Sequence, residues 1–170
     1  LYAGYLSFRV MSVPAGTKKM QDISDAIKEG AMAFMAREYK TIAAFAIVIA
    51  LILWGLFGNA VAIGFVVGAI LSAVSGFVGM NISVRANVRT AESAKKGLKE
   101  AFDVAFKGGA VTGMAVVGFA LFAISVMYLI YPDPIALIGL GFGASLVSLF
   151  ARVGGGIFTK AADVGADLVG

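Results

Sequence analysis

The chain has 170 residues, of which 60% are hydrophobic and 14% charged, and its mean hydropathy is +0.93. This composition is typical of a polytopic membrane protein and excludes an ordinary soluble domain of this length. The sequence contains no cysteine, which excludes disulfide bonds. The net charge of +4 indicates nucleic-acid binding only weakly, because the lysines alternate with acids, and we expect no nucleic-acid partner.

Long charge-free intervals predict the membrane spans, because about 20 consecutive apolar residues cross a bilayer as a helix. The intervals run from Lys40 to Arg85, from Lys107 to Asp133 and from Asp133 to Arg152. The first interval is long enough for two spans that turn back within residues 54–59, where a tryptophan and turn formers meet. Each of the other intervals accommodates one span.

We therefore predict an all-α fold, a polytopic membrane helix bundle that forms a single transmembrane domain over residues 1–170. The predicted spans are 1–10 (partial), 41–58, 60–84, 108–131 and 135–170, and the predicted links are 11–40 and 85–107. Apolar residues at helical spacing predict an amphipathic helix over 17–40 that runs into the second span. Leu1 is not a start methionine and Gly170 falls inside a charged motif, so we expect an excerpt of a longer protein.

The distribution of basic residues predicts the orientation of the spans. Lysines and arginines cluster in or beside the two links, whereas the turns at 55–59 and 131–134 contain none. By the positive-inside rule, both links are predicted to be cytoplasmic. The end of the fifth span then lies on the cytoplasmic side of a multi-pass protein of the cell membrane.

Small residues recur at intervals of four in three of the predicted spans. This spacing is typical of helices that pack closely in a membrane bundle, and it favours a packing role over a ligand role. The residues are Gly64, Gly68, Ser72 and Gly76 in the third span, Gly109 and Gly113 in the fourth, and Gly139 and Gly143 in the fifth.

Four charged residues at the end of the fifth span share one helical stripe. With about 100° per residue, Arg152, Lys160, Asp163 and Asp167 lie near 0°, 80°, 20° and 60°, spread over about 22 Å of helix axis. Charges in a membrane helix are costly and usually mark a polar pathway or a binding site. Two acids one turn apart beside a lysine suit a hydrated divalent cation and a phosphate group.

Other interpretations of these residues are also open. A solvated helix end, with an ion pair between Lys160 and Asp163, is equally consistent with the spacing. The glycines at 154–156 invite comparison with a phosphate-binding loop, but threonine precedes the lysine, alanine follows it and no strand precedes the glycines, so we exclude a Walker site. These glycines are expected to permit a close backbone approach or a local distortion. The segments 37–40 and 85–89 are interpreted as interfacial anchors.

The stretch RVGGGIFTKAADVGADLVG at 152–170 closely resembles the signature of membrane-bound, ion-pumping inorganic pyrophosphatases. Four upstream segments also resemble this family, so that the resemblance covers essentially the whole chain. They are EGAMAF at 29–34, REYKT at 37–41, SVRANVRT at 83–90 and FKGGAV at 106–111.

The resemblance implies a homodimer with about sixteen membrane helices per subunit. It implies hydrolysis of magnesium pyrophosphate on the cytoplasmic side, coupled to outward transport of protons or, less expected, of sodium. Lys160 would contact pyrophosphate, Asp163 and Asp167 would hold Mg²⁺, and Arg152 would belong to the ion path. The acids that activate water would lie on later helices, so this segment is not expected to be active alone; K⁺ is a candidate activator of the full-length protein.

The main alternative is a non-enzymatic secondary transporter with Arg152, Asp163 and Asp167 as its intramembrane ion site. A purely structural helical module is a second alternative, and the stripe of four charges counts against it. Further Asp-x-x-x-Asp repeats after residue 170 would favour the pump, because a transporter has no reason to carry them.

Overall fold

The computed structural model describes residues 1–169, and Gly170, the last residue of the signature, lies outside the described residues. Five helices make up almost all of the described chain: α1 (Tyr2–Met11), α2 (Lys18–Phe57), α3 (Asn59–Ala94), α4 (Leu98–Ile130) and α5 (Pro134–Val169). No strand occurs among residues 1–169, so the predicted all-α fold is confirmed. Helices α2 to α5 are each long and apolar enough to cross a membrane.

Short links separate the long helices, and a left-handed glycine or a local hydrogen bond stabilises the turn in two of them. Gly58, between α2 and α3, has a φ of +81°, a left-handed conformation that glycine adopts without steric cost. Across this link the Trp54 indole N–H donates to Asn59 Oδ1 at 2.5 Å. Before α5, Asp133 Oδ1 accepts the backbone N–H of Ile135 at 2.9 Å, which satisfies a free donor at the helix start.

The described chain divides into two compact units, and the first contains Leu1–Ala33 and Ser75–Phe119. Its core joins Leu6 of α1, Ile82 of α3 and Val111 of α4. Helices α3 and α4 approach closely here, because a Cβ built on Gly79 would lie 2.7 Å from the Thr112 side chain. The ion pairs formed by the described residues of this unit join residues three or four apart in sequence.

The second unit contains Phe34–Val74 and the chain from Ala120 onward. Its cores are built from alanine, methionine and branched apolar residues of α2 to α5. One core cluster joins Ala123, Met127, Ala136 and Leu140, and another joins Ile42, Ala69 and Val147.

Helices α3 and α5 interlock within the second unit through glycines. A Cβ on Gly64 or Gly68 would overlap the backbone carbonyl of Ala136 or Leu140, and Gly139 and Gly143 meet the backbone of α3 in the same way. The predicted close packing is therefore confirmed for these four glycines. Ser72 adds a hydrogen bond from its hydroxyl to the Ala144 carbonyl at 3.1 Å.

The other glycine pair with this spacing, Gly109 and Gly113, packs against no helix among residues 1–169. A Cβ on Gly109 or Gly113 would meet no atom within 4 Å among the described residues. The close packing predicted for this pair is thus not formed within residues 1–169, and that part of α4 is an open surface.

Candidate functional site

All four candidate site residues lie on the last half of α5 and are exposed. Because α5 is a continuous α-helix through Val169, Arg152, Lys160, Asp163 and Asp167 keep the shared stripe that their spacing predicts. Lys160 Nζ lies 3.9 Å from Asp163 Oδ2, and their side chains are 78% and 66% exposed. A long ion pair with this exposure contributes little to stability, so both groups are free to bind other partners.

The opposite face of α5 packs on α2 within the second unit. The rings of Phe150 and Phe45 have centroids 5.6 Å apart, and those of Phe158 and Phe34 have centroids 5.0 Å apart. Between these two contacts, Gly154 lies against the Glu38 carboxylate.

The helical geometry explains why the charged stripe stays exposed. At about 100° per residue, Phe150, Gly154 and Phe158 lie near 160°, 200° and 240° from Arg152, whereas the charged residues lie between about 0° and 80°. Helix α2 therefore packs on the face of α5 opposite the charged stripe, and the charged side chains point away from α2.

Glu38 is a half-buried residue of this packing face whose role the sequence analysis missed. Its Oε1 atom is buried and has no hydrogen-bond partner among residues 1–169. Because Gly154 has no side chain, the carboxylate can approach the backbone of α5 at this point. Glu38 belongs to the segment 37–40, which is predicted from the sequence to be an interfacial anchor. An acid immediately before an apolar span is the sequence signal that distinguishes it.

The three consecutive glycines of α5 do not distort the helix. Residues 154–156 are α-helical, so of the two expectations for this segment, the local distortion is wrong. At Gly154 the α5 backbone is approached by the Glu38 side chain, and no second backbone is among its nearest neighbours. Built Cβ atoms on Gly155 and Gly156 would meet nothing within 4 Å, so these two glycines face open space.

The charged stripe supplies only some of the ligands that a bound metal ion needs. Asp163 and Asp167 are one helical turn apart and present oxygen donors, the ligand type that Mg²⁺ prefers. The described residues contain no group of three or more acids, histidines or cysteines that could hold a metal ion. The two aspartates therefore suit a hydrated divalent cation whose other ligands come from water, substrate or other helices.

Arg152 stands apart from the other three charges. It precedes Lys160 by eight residues, about 12 Å along the axis at about 1.5 Å per residue, so we expect the two side chains to serve different ligands. The part of the chain that the structure describes provides no acid within ion-pair distance of Arg152. The structure thus brings Lys160 and Asp163 together and leaves Arg152 as a separate exposed cation.

Comparison with known proteins identifies relatives over the whole chain. A family model described as "Inorganic H+ pyrophosphatase" matches residues 1–170. A K(+)-insensitive pyrophosphate-energized proton pump of Methanosarcina mazei is 54% identical over 99% of this chain and 26% of its own length. A pump of the same name from Caldanaerobacter subterraneus is 46% identical over 98% of this chain and 27% of its own length.

A relative with a different transported ion is similarly close. A protein of Clostridium tetani named as a putative K(+)-stimulated pyrophosphate-energized sodium pump is 47% identical over 100% of this chain and 25% of its own length. The chain therefore spans about a quarter of the length of the curated relatives it matches.

Proposed function

Because the chain belongs to the inorganic H+ pyrophosphatase family, we propose that the multi-pass membrane protein containing it couples pyrophosphate hydrolysis to ion transport. The observation that carries this proposal is the charged stripe on α5. It places a lysine and two carboxylates on the face opposite the one that packs on α2, at one end of a membrane-length helix.

In this proposal Lys160 binds a pyrophosphate oxygen, and Asp163 and Asp167 supply oxygen ligands to Mg²⁺. The exposure of all three side chains supports these roles, because their polar atoms remain available to a ligand. Mg²⁺, when bound, would neutralise pyrophosphate oxygens that otherwise repel a nucleophile. Lys160 places a compact positive charge beside the same phosphates and stabilises the negative charge of the leaving phosphate.

Arg152 serves the ion path rather than the phosphate site. Its distance from Lys160 along the helix supports this division. An arginine at this depth, without an acid partner in residues 1–169, requires either a wet cavity or a carboxylate from another helix. We assign it the role of holding such a carboxylate in its charged form until an ion is transferred.

We further propose that protons are transported outward and that pyrophosphate is hydrolysed on the cytoplasmic side of the cell membrane. The concentration of basic residues in and beside the two links supports this orientation. The names of two relatives support protons, and that of the third supports sodium. One relative is named as insensitive to K⁺ and another as stimulated by K⁺, so the names do not agree on K⁺ as an activator. We also propose a homodimer, on the basis of the family resemblance alone.

The experiment that tests the proposal uses the full-length protein in inverted membrane vesicles. Pyrophosphate with Mg²⁺ should release phosphate and acidify the vesicle lumen, and chelation of Mg²⁺ should stop both processes. Sodium uptake measured in parallel identifies the ion. Ion flux driven only by an imposed gradient, with no pyrophosphate hydrolysis, would contradict the pump and favour the secondary transporter.

A further inference from the structure

A column of hydrogen-bond donors runs along one face of α3 where the helix leaves its apolar region. Asn81, Arg85 and Arg89 are spaced by four residues, so each lies about 40° from the next around the helix. All three are half-buried residues of the first unit. Phe77, one turn before Asn81, continues the same face and is 43% exposed.

Neither arginine of this column has an acidic partner in the described residues. Arg89 Nη1 donates to the Arg85 carbonyl at 2.8 Å, and the buried Nε of Arg89 has no partner within residues 1–169. Glu92, the acid that follows on this face, instead forms an ion pair with Lys95 at 2.5 Å. The two guanidinium groups are therefore neighbouring like charges without a compensating anion in this part of the chain.

Asn81 is also poorly satisfied. Its amide nitrogen reaches the Phe77 carbonyl at 3.4 Å and the Met32 sulfur at 3.9 Å. The contact with the Phe77 carbonyl is longer than an ordinary hydrogen bond between nitrogen and oxygen, and the thioether sulfur of Met32 is only a weak acceptor. The column thus contains three side chains that donate hydrogen bonds, and its only side-chain acceptor is the Asn81 amide oxygen.

The charges of Arg85 and Arg89 are best compensated by an anion with several acceptor oxygens. Two partly desolvated positive charges one turn apart repel each other, and a charge that is removed from water without a partner is strongly unfavourable. A phosphate group fits the rigid donor fork of arginine better than any neutral acceptor does.

The apolar side of the column indicates the source of this phosphate. A free phosphate ion needs no apolar surface, whereas a phospholipid has acyl chains next to its polar group. The order of residues from the apolar region of α3 outward is Phe77, Asn81, Arg85 and Arg89. Acyl chain, ester carbonyl and phosphate follow one another in this order in a membrane phospholipid, and basic clusters beside a membrane helix attract anionic head groups.

We propose that Arg85 and Arg89 bind the phosphate of an anionic membrane phospholipid, with Asn81 donating to its ester carbonyl and Phe77 contacting its acyl chain. This site is separate from the α5 stripe and does not depend on the proposed pump activity. In this proposal Arg85 and Arg89 bind a specific lipid and do not act only as interfacial anchors.

The test measures lipid binding to the purified full-length protein by native mass spectrometry during titration with dioleoylphosphatidylglycerol. Removal of charge-assisted hydrogen bonds should weaken binding about tenfold or more in the Arg85→Gln, Arg89→Gln double variant. The matched control is the Lys96→Gln, Lys99→Gln variant, which loses the same charge from exposed lysines and should bind as the parent does. Arg89→Gln alone provides an intermediate case if the double variant does not fold.

Each outcome of this titration decides the proposal. An equal loss of binding in the arginine and lysine variants would show general charge attraction and overturn the site. Unchanged binding in the folded arginine variants would also overturn it. Displacement of the lipid by millimolar orthophosphate or pyrophosphate would show that the site takes free phosphate, contrary to the lipid assignment.

Discussion

The buried Oε1 atom of Glu38 lies against Gly154, the first of three consecutive glycines in α5. This contact joins α2 to the helix that carries Arg152 and Lys160, at a level between these two residues. It is flanked by the ring contacts of Phe34 with Phe158 and of Phe45 with Phe150. Glu38 and these two ring pairs thus lie on the face of α5 opposite the charged stripe.

Replacing Gly154 by alanine should disturb this contact. The new Cβ would overlap Glu38 Oε1 and would lie 3.0 Å from Glu38 Cδ and 3.3 Å from Phe34 Cζ. Because the carboxylate ends a flexible side chain, we expect destabilisation near the lower end of about 1–3 kcal/mol for overpacking. The measurements are thermal unfolding and pyrophosphate hydrolysis of the full-length protein.

Gly155→Ala is the matched control for Gly154→Ala, because its Cβ would meet nothing within 4 Å among the described residues. In a Glu38→Ala background, Gly154→Ala should lower the free energy of unfolding by much less. The effects of substitutions at two residues in contact are not additive, because removal of one side chain removes the contact. Equal costs in both backgrounds would show that Glu38 does not cause the effect.

The glycines that interlock α3 and α5 should be less tolerant of substitution than Gly154. The neighbours of a Cβ on Gly68 or Gly143 are backbone atoms, which cannot rotate away, so the two helices must separate. We expect Gly68→Ala and Gly143→Ala to cost at least the upper end of about 1–3 kcal/mol. Gly141→Ala, which meets nothing, should be nearly neutral in thermal unfolding; an equal loss there would contradict the interlocked packing.

The two aspartates of the stripe should set the magnesium requirement. Asp163→Ala and Asp167→Ala are expected to abolish pyrophosphate hydrolysis, because a divalent cation beside an anionic substrate needs hard oxygen ligands. Asp167→Asn keeps one carbonyl oxygen and should leave weak activity with a raised magnesium requirement. Titration of hydrolysis against Mg²⁺ measures this, with Asp22→Asn as an exposed control. Normal turnover at ordinary magnesium would assign the aspartates to helix-end solvation.

Lys160 should act through a compact charge at short range. Lys160→Ala is expected to remove hydrolysis, and Lys160→Arg should restore little, because a planar guanidinium does not reproduce the geometry of an ammonium group. Lys96→Ala removes an exposed lysine outside the stripe and serves as the control. If Lys160→Ala turns over pyrophosphate with unchanged KM, the phosphate contact is wrong.

Arg152 should separate transport from hydrolysis. Arg152→Ala is expected to damage ion uptake at least as severely as phosphate release, because its partner acid would no longer be held in its charged form. Arg152→Lys keeps the charge and should retain more of both activities. Ion uptake and phosphate release are measured in the same vesicles. An unchanged ratio of ions to phosphate in the alanine variant would assign Arg152 a structural role.

The sequence alone determined the all-α fold and the charged stripe of this protein. Charge-free intervals predict membrane helices because a bilayer excludes unpaired backbone groups and charges. The shared stripe of Arg152, Lys160, Asp163 and Asp167 depends only on the period of one helix, and α5 is regular throughout that segment.

Tertiary structure decided which apolar surfaces meet. In a membrane, lipid is as apolar as the protein interior, so hydrophobicity does not distinguish a packed helix face from one that contacts lipid. The same four-residue spacing thus led to interlocked glycines at Gly68 and Gly143, whereas Gly109 and Gly113 meet no neighbour among residues 1–169. The contact of Glu38 with Gly154 joins residues distant in sequence, and only the packing of α2 on α5 creates it.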